Sequence, residues 1–308
     1  MTPSKSDRIV GCIFGGAAGD ACGVPFEGES FPINVELTGQ KISDDTQLTL
    51  ATCEALIETN CIVTPSAIAS RFAAWQQKRR IHGMGASTYK ALSELVAGGH
   101  WALVGRRGEF AAGNGAAMRI APLAFCLHPN DPWARQQIRD VTRITHHHEE
   151  AYVGALAVAI AIRAAWDGTW NGTPELVPLV IEFIPDSKVR DRLRELAELK
   201  TNTPIVDVAH RFGCSGYVVE SVPLAIYAAQ QISTLGFEIL LRDLICAGGD
   251  TDTTASMAGQ IAGAFLGAKE LPQPLLMQLE EFSFIDDVAR QFTEKLAANA
   301  AGLTKACT

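Results

Sequence analysis

The chain has 308 residues, and its 26 Lys and Arg against 34 Asp and Glu give a net charge of -8, which offers no complementary surface to a nucleic-acid backbone or an anionic membrane. Hydrophobic residues make up 47% of it and aromatics only 7%, with 27 glycines, so close-packed helices are favoured over an aromatic-rich sandwich of strands. Eight cysteines without a C-x-x-C pair fit neither a zinc site nor a compact disulfide framework, and the opening MTPSKSDRIV lacks a signal-peptide pattern, so a reducing cytoplasm is the expected setting.

Apolar faces of helical period, separated by short Gly, Pro, Asn and Asp punctuation, predict helices near 8–21, 43–59, 64–79, 85–97, 116–127, 131–144, 148–166, 173–184, 186–199, 203–211, 216–232, 236–246, 252–267, 271–282 and 284–301. Ser43-Asp44-Asp45, Thr64-Pro65 and Asp131-Pro132 supply caps and a first-position proline at three of the starts. The segments 148–166 and 252–267 are apolar nearly all round, as central helices are, and Gly259, Gly263 and Gly267 would let a neighbouring backbone come close. The longest apolar stretch, Ala151 to Ile162, is well short of the roughly 20 residues that cross a bilayer, so no membrane span is expected. Nothing alternates strand with helix, and no linker divides the chain. The expectation is a single all-α domain over residues 1–308.

The chemistry stands out against this apolar background at a few points. GCIFGGAAGDACGVPFEG misses the dinucleotide fingerprint, because position 14 is Phe14 and no strand precedes it; it predicts a glycine-faced helix with Asp20 and Glu27 near its end. Ser43-Asp44-Asp45-Thr46 and Gly249-Asp250-Thr251-Asp252-Thr253-Thr254 each open a helix with two carboxylates and hydroxyl groups. Either cluster alone is as well read as a helix cap. Together they carry more negative charge than caps can use, and an all-oxygen donor set suits hard cations such as Mg²⁺ or Mn²⁺. An EF-hand is excluded, since counting from Asp250 puts Ala255 at the turn position and Ile261 at the bidentate position. Gly113-Asn114-Gly115 before Ala116-Ala117-Met118-Arg119 reads either as a plain turn or as an anion-cradling one at a helix start. In Thr145-His146-His147-His148-Glu149-Glu150 the three imidazoles diverge, leaving either a helix start capped by Thr145 or one His that touches substrate. Gly213-Cys214-Ser215-Gly216-Tyr217 breaks the G-x-S-x-G elbow, which disfavours a serine hydrolase.

In this order, GGAAGDACGVPFEG, ISDDTQLTLA, GNGAAMR, ITHHHEEA and GGDTDTTASMAGQIAGAFLGA resemble the ADP-ribosylglycohydrolase family across nearly the whole chain. The resemblance implies an all-helical fold with a dinuclear metal site holding two divalent cations, Mg²⁺ or Mn²⁺. By motif it implies Ser43, Asp44, Asp45, Asp250, Asp252 and Thr253 as metal ligands, and Glu27 or Asp250 as the proton-accepting catalytic group. It also implies Gly113, Asn114 and Gly115 as the diphosphate loop, His146 as a substrate contact and Tyr217 as a stacking partner for adenine. The partner would be an ADP-ribosylated protein or a small ADP-ribose conjugate, cleaved by metal-assisted hydrolysis at the anomeric carbon. Ser43 stands where Thr is usual, which keeps the hydroxyl oxygen. Gly83 and Ala86 stand where arginine-type members carry an acid and an Asn, which puts arginine-linked substrates in question. Two other readings of the same acids are a hydrolase of a different nucleotide or phosphoester and a non-catalytic, crystallin-like binder.

Overall fold

The computed structural model describes residues 2–30, 35–200 and 202–306, with side chains up to residue 299. In chain order the helices are α1 (Lys5–Gly23), α2 (Asp44–Glu58), α3 (Pro65–Gln77), α4 (Ala86–Val96), α5 (Ala121–Cys126), α6 (Pro132–Arg143), α7 (Glu149–Asp167), α8 (Leu176–Phe183), α9 (Lys188–Ala197), α10 (Ile205–Phe212), α11 (Val218–Ala229), α12 (Ile232–Leu235), α13 (Phe237–Cys246), α14 (Thr251–Leu266), α15 (Gln273–Leu276) and α16 (Phe282–Ala306). The only strands among the described residues are β1 (Arg106–Arg107) and β2 (His146–His147), two residues each, paired in parallel with Arg106 opposite His146. The fold is all-α, as the composition and the spacing of apolar residues require.

At its centre α1 and α14 run antiparallel with their backbones in contact. A Cβ built on Gly15 would sit 2.2 Å from the Gly259 carbonyl oxygen, and one on Gly259 would sit 2.1 Å from that of Gly15. Gly11 and Gly263 oppose each other in the same way, and Gly19 and Gly23 continue the ridge against Ala255 and Asp252. The expected close approach along Gly259 and Gly263 is therefore present, with four glycines of α1 as its counterpart. Gly267 instead ends α14 with a φ of +81°. All but two residues of α14 are buried, and α7 and α11 pack on it. Lys5–Phe26 is long and apolar enough to cross a membrane by length and composition alone, but 78% of its most apolar stretch is buried inside the fold.

Two predicted helices are cut short. Residues 116–120 form turns, and α5 begins only at Ala121. Pro122 has no N–H to give the Met118 carbonyl, which is served instead by the Gln260 side chain at 2.6 Å, while the Gly115 carbonyl accepts from Arg119 Nε at 3.1 Å. Of the segment 271–282, with Pro272 and Pro274, only the four residues of α15 and Phe282, which opens α16, are helical.

Candidate metal centre and substrate cleft

The α1–α14 contact sets the C-terminal end of α1 beside the N-terminal end of α14, and the start of α2 joins them. Ser43 caps α2, its hydroxyl accepting from the Asp45 N–H at 3.3 Å and donating to Asp45 Oδ2 at 3.1 Å. Asp20 of α1 caps the same helix from outside, accepting from the N–H groups of Ser43 at 3.0 Å and Thr46 at 3.1 Å and from the Thr46 hydroxyl. On α14, Thr253 donates from its N–H to Asp252 Oδ1 at 2.8 Å and from its hydroxyl to Asp45 Oδ2 at 3.2 Å. The two acidic turns predicted as caps or as ligands are thus brought into contact with each other.

Oxygens of Asp20, Asp45 and Asp252 lie within 4.8 Å of one another, and so do oxygens of Glu27, Asp250 and Asp252. Asp252 belongs to both sets. Burial, reinforced by the neighbouring carboxylates, pushes the Asp44 carboxyl up to about 8 and Asp252 up to about 9, and holds Asp45 well above its ordinary value. Burial also lifts Asp20 to about 6 despite its hydrogen bonds, and raises Glu27 more modestly. Asp45 Oδ1 is buried without any hydrogen-bond partner. An orphaned carboxylate oxygen amid mutually repelling acids fits a divalent cation, whose charge and need for oxygen donors answer both defects. Asp44 lines the cleft beside these sets, while Ser43 lies beneath it, behind Asp45.

The cleft has a volume of about 480 Å³ and is lined on one side by Glu27, Asp44, Asp45, Asp250, Asp252 and Thr253. The Gly113-Asn114-Gly115 turn lines it as well. Its backbone is pinned to the Tyr217 segment, with the Asn114 N–H donating to the Gly216 carbonyl at 3.1 Å and the Val218 N–H to that of Ala112 at 3.0 Å. The Asn114 side chain donates to Asp250 Oδ2 at 2.6 Å and to the Ser221 hydroxyl at 3.1 Å, tying the turn to the acids. His146 packs under the turn: a Cβ on Gly113 would come within 3.1 Å of its ring and one on Gly115 within 2.9 Å. Burial, with Arg119 and Arg106 nearby, drives His146 down to about 3, so the imidazole is neutral at physiological pH. Tyr217 is half-buried at the rim, next to Ser215 and Gly216, which do line the cleft.

Of the three imidazoles only His146 reaches the cleft. The His147 ring bonds the Val104 carbonyl at 2.6 Å, and His148, not Thr145, caps α7. Thr145 instead holds Arg119 Nη2 at 2.7 Å and His146 Nδ1 at 2.8 Å. Arg119 is the residue that motif reading passed over. It lies fully buried over Phe72, and burial lowers it to about 9 although Asp44 opposes the shift. A charged residue closing the apolar run Ala116-Ala117-Met118 was the available signal. Asp20, read as a cap or supporting group, does cap α2 and also has an oxygen within reach of the Asp45–Asp252 pair.

An all-α protein with two acidic helix starts meeting at the floor of a cleft defines the class. The sequence profile described as ADP-ribosylglycohydrolase matches residues 1–303, and the chain belongs to the ADP-ribosylglycohydrolase family. It is similar to the ADP-ribosyl-[dinitrogen reductase] glycohydrolase of Rhodospirillum rubrum, at 26% identity over 90% of this chain and 92% of the relative. It is also similar to ADP-ribosylhydrolase ARH3 of Danio rerio, at 28% identity over 92% of this chain and 89% of the relative. A solved structure described as an ADP-ribosylglycohydrolase-related protein complex superposes with a TM-score of 0.74 at 25% identity, covering 95% of this chain and 99% of that one.

Proposed function

We propose that the chain hydrolyses the glycosidic bond between ADP-ribose and a protein side chain or small acceptor, with two divalent cations, Mg²⁺ or Mn²⁺, held at the cleft floor. The observation that carries this reading is the pair of three-carboxylate sets sharing Asp252. Asp45, Asp252, Thr253 and Asp44, backed by Ser43 and Asp20, are the residues that would hold the cations, and Glu27 and Asp250 complete the second set. Cations bound there supply Lewis-acid polarisation and neutralise the charge of the acids.

Glu27 suits the role of general base. It is solvent-exposed at the end of the acidic wall, and burial together with Asp250 raises its carboxyl toward the working range of a base. Asp250 has one oxygen committed to Asn114, which fits it for holding the Gly113-Asn114-Gly115 turn in register with the acids. In the proposed reaction the water oxygen bonds to the anomeric carbon as the bond from that carbon to the acceptor atom breaks, Glu27 takes a proton from the water, and the departing acceptor receives a proton from Glu27 or from solvent. Neutral His146 supports the turn on which the substrate would rest.

For the acceptor, we propose a hydroxyl-linked or acyl-linked ADP-ribose over an arginine-linked one. Gly83 lines the cleft with a φ of +85°, where any side chain is strained, and a Cβ there would meet Ser43 Cβ at 3.3 Å and Asp44 Oδ1 at 3.5 Å. No acid is present at 83 or 86 to pair with a guanidinium. The cytoplasm is the proposed setting, which the seven described cysteines, all free thiols, support. The test is release of ADP-ribose from serine-linked, O-acetyl and arginine-linked substrates, each with Mg²⁺, with Mn²⁺ and with EDTA. Cation-dependent release from the first or second supports the reading. Release from the arginine linkage alone overturns the acceptor assignment, and silence on all three overturns the activity.

A further inference from the structure

Resting on that reading, we infer that Arg106 recognises the diphosphate of the substrate and is the residue by which the cleft selects a nucleoside diphosphate derivative. Among the residues lining the cleft Arg106 is the only Arg or Lys, facing five carboxylates. Even with two divalent cations bound, five carboxylates leave a residual negative charge, so a diphosphate gains from a fixed positive charge on the protein. The other guanidinium in the neighbourhood, Arg119, is fully buried and does not line the cleft; its Nε and Nη2 are held by the Gly115 carbonyl and the Thr145 hydroxyl, and its Nη1 is buried without a partner.

Arg106 is built to stay available. Its backbone is fixed by pairing with β2, the N–H donating to the Thr145 carbonyl at 3.0 Å. Its guanidinium forms no ion pair and no hydrogen bond among the described residues, and it lies 5.4 Å from the centroid of the Phe110 ring. Phe110 is 78% exposed, an unusual position for a large apolar side chain. A ring beside the guanidinium limits its wandering without consuming any of its five N–H donors. The charge lies beside His146, whose ring it helps keep neutral, and therefore next to the Gly113-Asn114-Gly115 turn. That turn does not present the Asn114 N–H to a ligand, because Gly216 takes it. A planar guanidinium is the charged donor that the cleft lining offers a phosphate, beside the remaining N–H groups of that turn.

The experiment titrates the full chain with ADP-ribose, ADP and adenosine at fixed Mg²⁺, for the wild type, Arg106→Ala and Arg106→Lys, each with its Tm recorded. The expected result is about 10–100-fold weaker binding of ADP-ribose and ADP by Arg106→Ala, partial recovery in Arg106→Lys, and unchanged binding of adenosine. Wild-type affinity for ADP-ribose in Arg106→Ala overturns the role of Arg106 and leaves the proposed activity standing. Equal weakening of all three ligands, adenosine included, also overturns it, since that is a structural effect. Binding of ADP but not ADP-ribose by the wild type, lost in Arg106→Ala, supports the diphosphate role and overturns the substrate reading. Failure of the wild type to bind any of the three overturns both.

Discussion

Asp252 and Asp20 have oxygens about as near to Asp45, yet they do different work, and substitution separates them. Asp252 belongs to both carboxylate sets, accepts from the N–H of Thr253, and is raised to about 9 by burial and by Asp250. Asp252→Asn removes a charged donor from each proposed ion, so turnover should fall by at least about 100-fold and cation affinity with it. In chelator the same variant should melt no lower than the wild type, because the amide is neutral without the proton that Asp252 must take up on folding. Asp20→Asn should behave in the opposite way. Its oxygens accept from two N–H groups at the start of α2, and an amide nitrogen turned toward those donors leaves a cap broken, at a cost of about 1–2 kcal/mol. Melting curves in EDTA and in Mg²⁺ check both, and a destabilised Asp252→Asn in EDTA would count against the charge argument.

Among the elements, the α1–α14 pair decides where the acids stand. Gly15→Ala puts a methyl group 2.2 Å from the Gly259 carbonyl oxygen, backbone that cannot rotate away, so the helices must separate. The expected loss is about 1–3 kcal/mol, with Tm falling about 2–4 °C for each kcal/mol. Cation affinity should fall as well, because α1 carries Asp20 and leads to Glu27 while α14 carries Asp252. A Gly15→Ala protein with wild-type Tm and cation affinity would show that the contact is looser than described. Helices such as α2 and α6 are legible in the sequence because their caps and apolar faces are local properties. The glycine stripe of α14 was legible for the same reason. The start of the predicted 116–127 helix is not, because the partner of the Met118 carbonyl comes from Gln260, far along the chain. The acids of the cleft announce themselves by their density, whereas the Asn114–Asp250 bond and the place of Arg119 under Gly115 exist only once the chain is folded.

For the molecule as a whole, the acidic floor makes stability depend on pH in a direction opposite to that of salt-bridged carboxylates. Asp44 and Asp252 hold their protons in the fold up to about 8 and about 9, while in the unfolded chain such groups ionise near 4. Between those limits the folded state binds more protons, so in EDTA stability should fall as pH rises from about 5 to about 9. Mg²⁺ or Mn²⁺ should flatten that slope and raise Tm most at the alkaline end, where binding displaces fewest protons. Calorimetry or dye melting over this range, with and without cation, is the check; parallel curves at all pH values would contradict it.

The glycine contact at the centre also has a consequence for the order of events during synthesis. Gly11 meets Gly263 and Gly19 meets Ala255, so each of these residues of α1 finds its partner only after more than 230 further residues have been made. Until then the ridge of α1 has nothing to close on, and Asp20 and Asp45 stand without Asp252. A chain stopped before Thr251 lacks Asp252, the member that both carboxylate sets share, so neither set is complete. The floor is completed late and all at once, when α14 closes on α1.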